Sequence, residues 1–112
     1  MTATQTLAHQ EIIAEMVWRI VEEFDPQKVI LFGSYARGMA GPDSDVDLLV
    51  VMPVQGSRRQ QRVAIRTALS GMGLAKDVFV FTPDEMERYG DLVGSIIRPA
   101  LREGKVLYVR PD

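Results

Sequence analysis

The chain has no cysteine, which excludes disulfide frameworks, thiolate nucleophiles and zinc–thiolate sites together. It has one histidine, His9, so a histidine-rich metal site is excluded as well. No charge sign dominates: thirteen Lys and Arg against fifteen Asp and Glu give a formal net charge of −2. Bulk attraction to a nucleic-acid backbone or to an anionic membrane is therefore not expected. Long hydrophobic runs are missing too. The longest, Val46 to Pro53, is interrupted by Asp47 and is far too short to span a bilayer. The first ten residues carry neither a basic segment nor an apolar one, so no signal peptide is expected, and a cytoplasmic protein is the expectation.

What remains is 112 residues, 46% hydrophobic and 25% charged. That length predicts one domain over residues 1–112 with a real but modest core. The apolar content suffices to offset the entropy of ordering, so disorder is not expected. Leu7 to Phe24 reads as a helix, because Ile13, Met16, Val17, Ile20 and Phe24 recur at i, i+3, i+4, i+7 and i+11. Asp25-Pro26 stops it. Lys28 to Phe32 reads as a buried strand, and Tyr35 to Arg37 as one helical turn stopped by Gly38. Asp45 to Met52 is a second strand, ended by Pro53, and Ser57 to Met72 a second long helix. Lys76 to Phe81 is a third strand. Thr82, Pro83 and Glu85 then make a capping box opening a further helix. Leu92, Val93, Ile96, Ile97, Ala100 and Leu101 form a last amphipathic segment that Pro99 should kink, before a final strand from Lys105 to Val109. The expected fold is α/β, a four-stranded mixed sheet flanked by helices in the order α-β-turn-β-α-β-α-α-β.

Three features bear chemistry. Gly33-Ser34 follows the first strand directly. The glycine lets a ligand approach the backbone, and the serine begins a turn whose free N–H groups and hydroxyl suit a phosphate. After ten intervening residues comes Asp45-Val46-Asp47. On a strand these carboxylates share one face, about 7 Å apart, with Val46 and Leu48 turned into the core. Like charges so placed raise each other's pKa unless a cation lies between them, and hard oxygen donors favour Mg²⁺ shared with a triphosphate. Asp77 heads a strand that otherwise reads Val-Phe-Val-Phe. If that strand neighbours the second, a third carboxylate joins, enough for two metal ions about 3.5–4 Å apart. Each feature alone is weak. Asp-x-Asp arises on solvent-facing edges, Gly-Ser is often only a turn, and Asp77 could be the exposed first residue of a strand. Their joint order is what carries the argument.

At Leu31–Val51 (LFGSYARGMAGPDSDVDLLVV) followed by Lys76–Phe81 (KDVFVF), the chain resembles the DNA polymerase β nucleotidyltransferase superfamily, and its minimal nucleotidyltransferase branch in particular. The resemblance runs over nearly the whole chain. It implies that an acceptor hydroxyl attacks the α-phosphate of an NTP and releases pyrophosphate. Gly33 and Ser34 would hold the triphosphate, with Arg37 able to reach it. Asp45, Asp47 and Asp77 would be the catalytic, metal-ligating set for two Mg²⁺ ions, Asp77 on the acceptor side and helping to deprotonate the acceptor. It further implies ATP as substrate and adenylylation of a tyrosine on a HEPN-domain RNase toxin, which makes this chain the antitoxin. Larger members add a C-terminal helical domain that these 112 residues do not contain, so the acceptor site is expected to come from a partner or a second copy. The alternative is a binding antitoxin that silences its partner by occlusion alone. A glycosyltransferase reading of Asp-x-Asp would need far more chain.

Other residues have plainer readings. Arg58, Arg62 and Arg66 lie at i, i+4 and i+8 on the second helix, either a solvated face or a docking surface. Arg37 could instead pair with Asp43 or Asp45. Trp18 lies off the core stripe, as an interface anchor or under the N-terminal arm. Tyr35 could stack on a base, Tyr108 packs, His9 is an exposed terminal residue with no role, and the methionines at 16, 39, 52, 72 and 86 fill gaps.

Overall fold

The computed structural model describes residues 2–41, 43–90 and 97–111. Helix α1 (Thr2–Phe24) leads into strand β1 (Lys28–Phe32), a turn, and strand β2 (Val46–Val51). Helix α2 (Arg58–Ala68), strand β3 (Lys76–Phe81), helices α3 (Pro83–Tyr89) and α4 (Ile97–Glu103), and strand β4 (Lys105–Val109) complete the order. The expected succession of elements holds. Of the last amphipathic segment, Leu92, Val93 and Ile96 lie outside the described residues, while Pro99 lies within α4.

The strands form one sheet in the order β3-β2-β1-β4. β1 runs antiparallel to β2 and to β4, and β2 runs parallel to β3. A parallel pair needs a crossover, and α2 supplies it. Both faces of the sheet are covered. Val29, Leu31, Val46, Leu48, Val50, Val78 and Val80 meet Ile13, Met16, Val17 and Ile20 of α1 and Ile65 of α2. On the other face Ile30, Phe32, Leu49 and Val51 pack with Ile97 and Ala100 of α4. Double coverage explains why β2 reads as a nearly unbroken apolar run. Val46 and Leu48 do turn into the core as expected, but the face that carries Asp47 is not open along its length, because Leu49 and Val51 continue it beneath α4.

Several boundaries shift. α1 begins at Thr2 rather than Leu7. α2 ends at Ala68 rather than Met72, since the Ser70 hydroxyl donates to the Thr67 carbonyl and Gly71 then turns with φ +80°. Asp45 lies just before β2 instead of inside it. The capping box of α3 is present, with Thr82 N–H on Glu85 Oε1 at 2.9 Å and Glu85 N–H on Thr82 Oγ1 at 3.1 Å. Two side chains depart from their expected settings. Met39 is 72% exposed and fills no gap. His9 is half-buried, its Nδ1 bonded to the Tyr35 hydroxyl at 3.2 Å. Of the two readings of Trp18, the exposed one holds.

Candidate active site

The site gathers at one end of the sheet, where β1 stops and β2 and β3 start. In the antiparallel register Phe32 faces Asp47, so Gly33 and Ser34 leave β1 beside the first turn-in of β2. Gly33 has φ +75°, and a Cβ placed on it would overlap Asp47 Oδ2. No other residue type lets the Asp47 carboxylate lie against this stretch of backbone. The chain then curls: Ala36 and Arg37 N–H groups donate to the Gly33 carbonyl at 3.1 and 3.2 Å, and Met39 N–H to the Ser34 carbonyl at 2.9 Å. Gly38 ends the turn with φ +72°. The Ser34 hydroxyl makes no hydrogen bond among the described residues.

Across β2, the parallel register pairs Asp47 directly with Asp77. Both side chains lie on the face that also holds Phe79, Leu49 and Phe32. Burial, the negative charge of Asp77 and that of Asp45 push the Asp47 carboxyl above its ordinary range, with Arg37 pulling the other way. The three carboxylates proposed from sequence are thus brought into one field. Asp45 also acts on Tyr35, whose hydroxyl is pushed up by burial and by that charge.

Among the described residues, no group of three or more His, Asp or Glu side chains converges tightly enough to hold an ion outright. Asp77 is drawn aside by Arg62, whose Nη2 stands 3.6 Å from Asp77 Oδ1. The same guanidinium donates from Nε to the Val78 carbonyl at 2.5 Å and lies 5.1 Å from the Phe79 ring centre. Asp45 and Asp47 nevertheless offer hard oxygen donors, and the negative charge of Asp45 and Asp77 around Asp47, which Arg37 offsets only in part, is what a divalent cation would offset, so the residues fit such an ion.

Arg37 pairs with neither Asp43 nor Asp45. It meets Glu103 at the end of α4, Nη1 to Oε2 at 3.3 Å. The arginine stripe of α2 is not simply a solvated face. Arg58 pairs with Glu85 and lies 5.4 Å from the Phe81 ring centre, and Arg62 binds β3 as described. Sequence reasoning missed Arg62 at the site. Its only signal was the spacing from Arg58, and that spacing cannot say which strand the stripe leans over.

Comparison with known proteins supports the same reading. Residues 14–109 match the family model described as a nucleotidyltransferase domain. A Methanocaldococcus jannaschii protein named "Putative protein adenylyltransferase" is 35% identical over 75 residues, which span 56% of this chain and 74% of that one. The crystal structure of a "putative nucleotidyltransferase" from Sulfolobus solfataricus aligns with a TM-score of 0.68 at 19% identity, over 97% of this chain and 87% of the other. A toxin-antitoxin crystal structure with AMP-PNP aligns with a TM-score of 0.53 at 19% identity, over 87% and 73%. These two structural likenesses are likenesses of fold.

Proposed function

The chain belongs to the nucleotidyltransferase domain family, and from that premise we propose that it is one minimal domain that transfers AMP from ATP to a hydroxyl on a partner protein. The observation that carries this reading is the in-register pair Asp47 and Asp77 beside a glycine whose missing Cβ admits the Asp47 carboxylate. Gly33 and Ser34 would meet the triphosphate through backbone N–H groups and the free hydroxyl, with Arg37 beside them. Asp45 and Asp47 would hold Mg²⁺, and Asp77 would join them once released from Arg62. Bound there, the ions would offset the charge of the triphosphate and ease ionisation of the acceptor hydroxyl.

The step is a substitution at the α-phosphorus. The acceptor oxygen forms a bond to it, the bond to the bridging oxygen breaks, and pyrophosphate leaves. The acceptor proton passes to a carboxylate, Asp77 being the one on the far side from Gly33. Such transfers depend on positioning and on charge stabilisation, which fixed donors and carboxylate-held ions provide.

The partner in this proposal is a HEPN-domain toxin, which makes the chain an antitoxin. The reading is supported by the resemblance at Gly33-Ser34 and Asp45-Val46-Asp47, by the relative named as a protein adenylyltransferase, and by the likeness of fold to a toxin-antitoxin structure. Pyrophosphate release is the test. It is expected only when partner, ATP and Mg²⁺ are all present, and not with Asp47→Asn. Neutralisation of the partner without nucleotide, and without pyrophosphate, would favour occlusion instead.

A further inference from the structure

Across the carboxylates from Gly33 lies an open cleft of about 630 Å³ between the second half of α2 and the start of β3. Asp45 and Asp77 contribute its carboxylates, and Arg66, Thr67, Ser70 and Lys76, with the apolar Val63 and Ala75, line the rest. The strand order decides what such a cleft can face. β1, with the Gly33-Ser34 turn, lies on one side of β2, and β3 lies on the other. A triphosphate on the turn therefore leaves the β3 side for whatever is to be modified.

The charges of the cleft are selective. Arg58 and Arg62 are engaged by Glu85 and Asp77. Arg66 and Lys76 have no side-chain ion pair or hydrogen bond among the described residues. Two cations and two hydroxyls thus stand beside two carboxylates. A polyanion would find only two cations to neutralise and would meet Asp45 and Asp77 at once, so a nucleic-acid strand is a poor occupant. A short peptide with one or two acidic residues next to a hydroxyl residue fits better. Its carboxylates would meet Arg66 and Lys76, while its hydroxyl reaches past Asp77.

We propose that this cleft seats the acceptor, and that Arg66 and Lys76 select an acidic polypeptide segment flanking the modified hydroxyl. The inference rests on the nucleotidyltransferase reading for its meaning, but its test does not need transfer to occur. Fluorescein-labelled peptides holding one tyrosine between acidic, neutral or basic residues are titrated with the full chain, without nucleotide, and followed by anisotropy. The acidic peptide should bind about fivefold or more tightly than the neutral one, as two exposed ion pairs allow. Arg66→Gln with Lys76→Gln should erase that preference and leave ATP affinity within about twofold, since neither residue faces the Gly33 side. Arg66→Gln alone, at an exposed position, serves should the double variant melt early. Equal binding of all three peptides, or an acidic preference that survives the double variant, would overturn the proposal. Tighter binding of a single-stranded RNA than of the acidic peptide, lost in the variant, would overturn it in favour of a nucleic-acid acceptor. If the acidic peptide binds but AMP transfer is never seen, the docking inference stands and the catalytic reading fails.

Discussion

Asp47 and Asp77 are direct register partners on the parallel strands β2 and β3. Two carboxylates side by side on neighbouring strands repel each other. The neighbouring charge shows in Asp47, which burial, Asp77 and Asp45 together push above the ordinary carboxylate range. A fold that needed only stability at this end of the sheet would gain by losing one of them.

In the metal-free protein, Asp47→Asn should therefore raise the melting temperature by roughly 2–4 °C, about half a kcal/mol after solvent screening. Millimolar Mg²⁺ should stabilise the wild type and leave the variant unmoved. The pH dependence has a definite sign. A carboxyl whose folded pKa is raised favours folding below its unfolded value near 3.8 and loses that contribution as pH rises through the folded value. The gap between variant and wild type should thus be widest at neutral pH and close as pH falls towards 3.8. Urea denaturation across that range checks it, and a gap that widens on acidification would contradict it.

Gly33→Ala places a methyl against Asp47 Oδ2 at a φ of +75°. Strain of this kind costs about 1–3 kcal/mol. Transfer should fall further than stability does, because the Asp47 carboxylate must move. Denaturation midpoints and initial transfer rates, measured on the same preparations, separate the two effects. A variant with wild-type transfer would remove the glycine from the account.

Arg62 holds Asp77, the Val78 carbonyl and the Phe79 ring together. Arg62→Ala should cost about 1 kcal/mol, mainly from the lost hydrogen bond at the edge of β3. Arg62→Lys should recover little, since an ammonium cannot reproduce the planar fork that serves three partners at once. Thermal melts of both variants decide this. Full recovery by lysine would mean that charge alone matters.

Glu85 illustrates the opposite titration. Burial pushes it up, but hydrogen bonds from Thr82 and Arg58 and the Arg58 charge outweigh that and hold it below its ordinary value. Its contribution is present above the unfolded value near 4.5 and is lost as pH falls through the folded one. Thr82→Ala should cost about 1 kcal/mol at neutral pH through the lost cap, and less in acid, where the reciprocal Glu85 bond is already weakened. Denaturation at two pH values tests this, and an equal or larger loss in acid would count against the pairing.

Much of the fold, and the grouping of the candidate site residues, was legible in the sequence, and for identifiable reasons. Strands β1, β3 and β4 run as expected because their ends carry strong stop signals: Pro26 and Gly33, Gly73 and Pro83, Gly104 and Pro111. Asp77 was readable only conditionally, since whether β3 lies beside β2 depends on how the crossover through α2 closes, and no local residue encodes that. The same limit hid Arg62. Its fifteen-residue separation from Asp77 is bridged by a helix packed beside the edge strand β3, a property of packing and not of spacing. His9 looked idle for a related reason: its partner Tyr35 is brought to it by the long helix α1 lying along the turn after β1.

The most direct test of AMP transfer is the intact mass of the partner protein after co-expression with this chain. The account predicts a partner heavier by one or more adenylates with the wild type, and unmodified with Asp47→Asn at equal abundance of folded chain. An unmodified, neutralised partner in a stable complex with the wild type would contradict it.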